Sequence, residues 1–267
     1  MLSGTGKHKN RKINQVSNVQ TLTEAFREEL LRWNQQINLV SRQETSDRLD
    51  GLFCQCIGGV GAVAQIIERL NTSSGPGYLS HYFDLGSGGG LPGVLWHILF
   101  SDNLPGTFGV NSPKQVLITH LVEPREKRAW FLNRLNRIPG IPAFEVLHGR
   151  WGDVCINPVV VSMEEQARPI VLISLKALHL DDEKVLAGLS GAMALSSLPC
   201  RVIITRYYPP EQILDNELVS SLGIPSSGFE VDVDGVQYCS LVGEVVPLAQ
   251  PGEGLASIVV SSYDVVL

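Results

Sequence analysis

A short apolar strand that runs directly into a glycine-dense turn leaves this chain few folds to choose from. The stretch is Phe83-Asp84-Leu85-Gly86-Ser87-Gly88-Gly89-Gly90-Leu91-Pro92-Gly93. A second apolar run closes on an acid, Leu121-Val122-Glu123-Pro124, and leads into a basic segment of helical character. Strand, glycine loop, helix and a second acid-ended strand open a doubly wound α/β sheet, whose ligands lie beyond the carboxyl ends of the strands. Glycines let the backbone turn sharply and approach a ligand closely. A carboxylate ending the second strand can accept hydrogen bonds from both hydroxyls of a ribose. The layout predicts a pocket for S-adenosyl-L-methionine (SAM), and with it a methyl-transfer enzyme.

Gly88 to Gly93 also fits G-x-G-x-x-G, the dinucleotide fingerprint. In that fold the ribose acid follows by roughly 20 residues, whereas Glu123 lies well beyond this interval, past a polar loop. Asp84, just before the glycines, suits the cationic amino-acid end of SAM and would repel a pyrophosphate. A glycine-rich turn with no ligand is the third reading.

With 267 residues the chain can bury one sizeable core without a second full domain. No uninterrupted apolar run approaches the ~20 residues of a membrane span. The longest candidate, Ile57 to Ala64, is broken by glycines. The start of the chain is polar and shows no signal peptide, so a cytoplasmic enzyme with no membrane partner is expected; the sequence leaves the oligomeric state open, with a monomer as the default. Five cysteines without C-x-x-C spacing suggest neither a disulfide framework nor a metal site. A net charge of −6 argues against a protein that wraps nucleic acid, although Arg125, Lys127, Arg128, Arg134 and Arg137 form a local basic cluster.

Residues 1–19 lack apolar periodicity and read as a flexible leader. A capping box, Thr21 with Glu24, starts a helix carrying Leu22, Phe26, Leu30, Trp33 and Ile37 on one face. Residues 20–77 form a helical region and 78–247 the SAM-binding domain. Strands are predicted near 81–85, 117–122, 143–148, 170–174, 200–205 and 237–243, and helices over 91–100, 124–138 and about 181–195. Segments 101–113 and 157–169 look inserted. The extension 248–267 carries an extra strand around Ile258-Val259-Val260, suited to a sheet edge or to another subunit.

Three segments resemble one family. Trp33-Asn34-Gln35-Gln36-Ile37-Asn38-Leu39-Val40-Ser41 is similar to its W-N-x-x-x-N-L-x-S segment, and Asp84 to Gly93 to its D-x-G-[ST]-G-x-G-x-P-G loop. Lys127-Arg128-Ala129-Trp130-Phe131-Leu132 resembles its K-R-x-x-F-L helix. The family is the RsmG (GidB) methyltransferases, which transfer a methyl group from SAM to guanine N7 in small-subunit (16S) ribosomal RNA. The resemblance runs from about Thr21 to Val242. It implies a Rossmann-like class I SAM-dependent methyltransferase sheet with helices on both faces and an N-terminal helical extension. It implies SAM as cofactor and ribosomal RNA or the small ribosomal subunit as partner. Gly86, Ser87, Gly88 and Gly90 would line the cofactor with Asp84, and Glu123 would hold its ribose. Arg150 and Lys176 stand at positions of family arginines and would orient the target base or its phosphate. Arg206 stands at a family lysine, and with Lys127 and Arg128 it would contact the RNA.

Trp151 reads either as a stacking platform or as packing, and Asp153 as a partner for the adenine amino group or an exposed loop acid. The family's R-H-x-x-D-S element is replaced here by Gly51-Leu52-Phe53-Cys54-Gln55-Cys56. That replacement keeps open another RNA or a small molecule as methyl acceptor, and a SAM-binding chain without turnover. A guanine N7 acceptor needs no general base; a hydroxyl or amine would, and His148 and His179 lie near predicted strand ends.

Overall fold

The computed structural model describes residues 6–40, 46–107, 117–156, 168–176, 178–193, 200–208, 230–233, 236–247 and 257–266. Two long helices, α1 (Gly6–Asn34) and α2 (Ser46–Ser73), precede the alternation β1 (Gly77–Leu85), α3 (Gly93–Thr107), β2 (Ile118–Glu123), α4 (Glu126–Leu135), β3 (Glu145–His148) and β4 (Arg168–Leu175). Helix α5 (Asp182–Met193) and strands β5 (Arg201–Tyr208), β6 (Glu230–Val233), β7 (Val236–Pro247) and β8 (Ser257–Val266) complete the order.

The strands form one eight-stranded sheet in the order β3-β2-β1-β4-β5-β8-β7-β6. Pairings among β1 to β5 are parallel, and those of β6, β7 and β8 are antiparallel. Alternate residues of the central strands feed two cores, as the two-residue strand period requires. Tyr82, Leu121, Leu172 and Ile203 meet Phe26 and Leu30 of α1, Ile66 and Ile67 of α2, Trp96 of α3 and Phe131 of α4. Phe83, Val122, Ile173 and Ile204 meet Val185 and Leu189 of α5 on the other face. Both faces of β1 and β4 are buried, as expected of parallel strands under helices; β4 is a near-continuous apolar run, whereas β1 carries Ser80, His81 and Asp84 within its buried length.

Three expectations are revised. Helix α1 begins at Gly6, so the described part of the expected leader is helical and Thr21 to Glu24 is helix interior. No proline interrupts residues 6–20, and Gln20 Nε2 donates to Glu24 Oε1 at 2.9 Å along the continuing helix. Helix α3 continues to Thr107, through part of the expected insertion, whose remainder lies outside the described residues, as does 157–167. Strand β8 is no edge: it lies between β5 and β7, pairing Ile203 with Ser262 and Val245 with Val259.

The expected helical region 20–77 includes α2, which stays helical through Gly58, Gly59 and Gly61. Within Arg48–Ser73 an 18-residue window reaches a mean hydropathy of 1.4, so the helix passes for a membrane span by length and composition. Its inner face, Phe53, Cys56, Val63, Ile67 and Leu70, is buried in the core. Gly59 has no space for a Cβ, which would meet the Trp96 ring at 2.7 Å.

Because β8 supplies both ladders that join β5 to β7, truncation after residue 256 should abolish cooperative thermal unfolding followed by circular dichroism. The loss of two strand interfaces exceeds a domain's usual margin of roughly 5–15 kcal/mol.

Candidate functional site

The chain leaves β1 for one side of the sheet and places β4 on the other, so the crevice at the carboxyl ends of β1 and β4 is the topological switch point. The glycine loop fills its floor. Gly86 and Ser87 donate backbone N–H groups to Val122 O at 2.9 and 3.1 Å, and Gly90 N–H donates to Ser87 O at 2.7 Å. Gly86, Gly88 and Gly90 have φ of 71°, 54° and 86°, a region that side chains disfavour. A Cβ on Gly90 would lie 2.8 Å from Val94 Cγ2, so α3 can follow this closely only after glycine.

Glu123 ends β2 beneath that loop and is 2% exposed. Gly88 N–H donates to Oε2 at 2.8 Å and Arg125 N–H donates to Oε1 at 2.8 Å. Each oxygen thereby accepts one backbone hydrogen bond and keeps a lone pair in hand. Two such lone pairs side by side match the two donors of a vicinal diol, which is what a ribose offers. The carboxylate is fixed before any ligand arrives.

Asp84 is buried under the loop on the α3 face of β1. Ser174 of β4, its register partner, donates its hydroxyl to Asp84 Oδ1 at 2.6 Å. That uses the single serine proton, so the Tyr82 hydroxyl is the donor in the 2.8 Å bond to Ser174 Oγ. Asp84 Oδ2 has no aligned donor among the described residues and is turned toward Gly93, where a Cβ would come within 2.5 Å of it. Burial raises the Asp84 carboxyl to about 6, against the pull of the Ser174 and Ser87 hydrogen bonds, the Gly93 backbone and the Lys176 charge. Such an acid is costly to ionise alone and gains from a cation placed nearby. A glycine floor, a diol-ready carboxylate and a cation-seeking acid fit SAM.

The other expected residues divide. Arg150 and Asp153 are exposed in the turn after β3, where Asp153 N–H donates to Arg150 O at 3.0 Å. Lys176 is half-buried at the end of β4, close enough to Asp84 and Cys56 to act on both electrostatically. All three lie just beyond the carboxyl ends of parallel strands, the side of the sheet on which the glycine loop sits. Trp151 instead packs: its Nε1–H donates to Val185 O at 3.0 Å, and its ring meets Phe83 edge-on at 5.5 Å. Lys127 is exposed on α4. Arg128 turns its guanidinium to Asn38 O through Nε at 3.1 Å and Nη2 at 2.7 Å. Arg206, 4% exposed, donates to Leu180 O at 2.9 Å and pairs with buried Asp182, which also accepts from the Tyr263 hydroxyl. This network ties β5 and β8 to the start of α5 and directs Arg206 inward. His148 and His179 are exposed.

Away from the crevice, β1 and β2 carry a buried histidine pair, with His81 Nδ1 and His120 Nε2 at 3.2 Å and His120 stacked on Phe83 at 4.4 Å. Glu145 Oε2 is 3.0 Å from His120 Nδ1 but off the line of a hydrogen bond. Burial lowers both imidazoles to about 4.

A Rossmann-like sheet with its glycine loop after the first strand and its acid after the second defines the class I SAM-dependent methyltransferase fold. The family described as rRNA small subunit methyltransferase G (GidB) matches residues 19–167, more than half of the chain, and the chain belongs to this family. A ribosomal RNA small subunit methyltransferase G from Ruegeria sp. (strain TM1040) is 33% identical over 82 residues, which are 31% of this chain and 34% of that protein. The match thus spans about a third of that relative's length. Among solved structures, an rRNA methylase from Streptococcus thermophilus aligns at 10% identity and a TM-score of 0.41, over 78% of this chain and 97% of that one. A putative class I SAM-dependent methyltransferase from Listeria monocytogenes aligns at 12% identity and a TM-score of 0.47, over 91% of this chain and 68% of that one.

The titrations carry opposite signs. Asp84 has a folded pKa above its unfolded value, so its contribution favours folding at acid pH and is lost as pH rises from about 4 through about 6. His81 and His120 have folded values below theirs, so their contribution is present above about 6.5 and is lost as pH falls toward about 4. Asp84→Asn should therefore stabilise the ligand-free protein at pH 7 by about 2–3 kcal/mol. It should also steepen the loss of stability between pH 6.5 and 4, read by urea unfolding across that range.

Proposed function

We propose that this protein transfers the methyl group of SAM to N7 of a guanine in small-subunit ribosomal RNA. The observation that carries the cofactor half is Glu123, held by two backbone N–H groups with two acceptor positions left beside the glycine loop. Family membership carries the acceptor half. When bound, SAM supplies an electrophilic methyl group on a sulfonium.

The chain's own work is binding and orientation. The loop 86–90 gives a floor without side chains, Glu123 fixes the ribose, and Asp84 offers negative charge below the loop. Guanine N7 presents a lone pair at neutral pH, so no residue has to remove a proton, and positioning can supply up to roughly 7–11 kcal/mol of the barrier. Arg150 and Lys176, from the ends of β3 and β4, orient the base and its phosphate. Lys127 and Trp130 of α4 are exposed and suit RNA contact. Arg206 serves this reading from inside, by holding the start of α5, and Asp153 is assigned to the adenine amino group.

The apolar Gly51–Cys56 stretch of α2, in place of the family's basic element, favours a second reading in which the acceptor is another RNA or a small molecule. Tritiated methyl transfer from SAM to small ribosomal subunits lacking the guanine-N7 mark separates the two. Wild-type protein should label the RNA, and Gly88→Asp should not, because it forces a side chain onto φ 54° and a second carboxylate beside Glu123. Absence of label in a wild-type preparation that binds SAM would reject ribosomal RNA as acceptor.

A further inference from the structure

We propose that Asn34 and Arg128 are positioning residues that strap the Asn34–Val40 segment onto the glycine loop and so set the Gly88 N–H that orients Glu123. The inference rests on reading this site as a SAM pocket and assigns Arg128 a task other than RNA contact. Asn34 ends α1 and its Oδ1 accepts from both Leu39 N–H and Val40 N–H at 2.9 Å, closing residues 35–40 into a compact turn. Arg128 fastens that turn from α4, with two donors of one guanidinium converging on Asn38 O. A lysine has no second donor in fixed geometry to do the same.

The strap then bears directly on the loop. Leu39 is 5% exposed, and a Cβ on Gly89 would lie 3.3 Å from Leu39 Cβ, 3.4 Å from Leu39 O and 3.0 Å from Leu30 Cδ1. A Cβ on Gly88 would lie 3.7 Å from Arg128 Nη1 and 3.8 Å from Leu39 O. Backbone therefore packs on backbone here, and Gly88 N–H is pointed at Glu123 Oε2 by what lies behind it. Burial lowers the Arg128 pKa, the mark of a guanidinium partly withdrawn from water. The tryptophan-asparagine segment at the end of α1 thus acts on the cofactor site through contact with its floor.

Hydrogen exchange of the ligand-free full chain tests this directly, alongside calorimetric titration with SAM. In Asn34→Leu and Arg128→Gln, amides 86–90 should exchange about tenfold faster or more, while β4 and β5 keep their protection. SAM should bind about tenfold more weakly to both. Asn34→Asp keeps an acceptor for the two N–H groups and should behave as wild type. If Asn34→Leu loses protection throughout, Arg128→Gln alone decides. Unchanged exchange in the loop would overturn the inference, as would an Arg128→Gln protein that binds SAM normally and only RNA weakly. Failure of wild-type protein to bind SAM would sink the methyltransferase reading, and the exchange measurement would still decide the strap.

Discussion

A buried carboxylate bonded on both sides by its own backbone holds this crevice in shape. Glu123 lies under the glycine loop with one oxygen on Gly88 N–H and the other on Arg125 N–H. Those two donors belong to different connections, the loop between β1 and α3 and the start of α4. One side chain therefore sets the spacing between them. A loop of glycines has many conformations open to it when free, and narrowing them is entropically costly. Charge-assisted hydrogen bonds to a buried carboxylate offset part of that cost. The same arrangement leaves each Glu123 oxygen with one acceptor position beyond its backbone hydrogen bond.

Below this pair the sheet stores a second polar arrangement. Tyr82, Ser174 and Asp84 form a chain of hydrogen bonds crossing from β1 to β4 and back, in a region otherwise built of Phe, Leu and Ile. Asp84 is satisfied on one oxygen only, and its raised pKa reflects burial that its partners do not fully offset. Arg206, Asp182 and Tyr263 form a comparable buried network at the far side, and there the charges are paired. The contrast separates a network whose charges are paired from one that retains unmet demand for positive charge under the glycine loop.

Much of this was legible in the sequence, and the residues that were not have a common reason. The loop 84–93 and Glu123 could be read because their spacing along the chain reflects a fixed strand-turn-helix geometry. The helical face Leu22, Phe26 and Leu30 could be read from its period, and all three are buried. By contrast, Trp151 beside Arg150 gave no sign that its indole would turn to Val185 across the sheet. Arg128, in a basic run, gave no sign that its partner would be a carbonyl far along the chain. The place of β8 between β5 and β7 was hidden for the same reason, since its pattern announces a strand and not its neighbours. Local signals carry local geometry, and long-range pairing is decided by the whole core. Ser174 is the exception that could have been found, as a hydroxyl at a strand end opposite an acid.

The most direct measurement compares the affinity of SAM with that of its 2′-deoxy counterpart, for wild-type protein and for Glu123→Ala. Glu123 as the ribose ligand requires wild type to prefer SAM by about tenfold and the variant to lose that preference while binding both weakly. Equal loss for both ligands with the preference intact, or no effect of the substitution on either, would place the ribose elsewhere and contradict the assignment of the site.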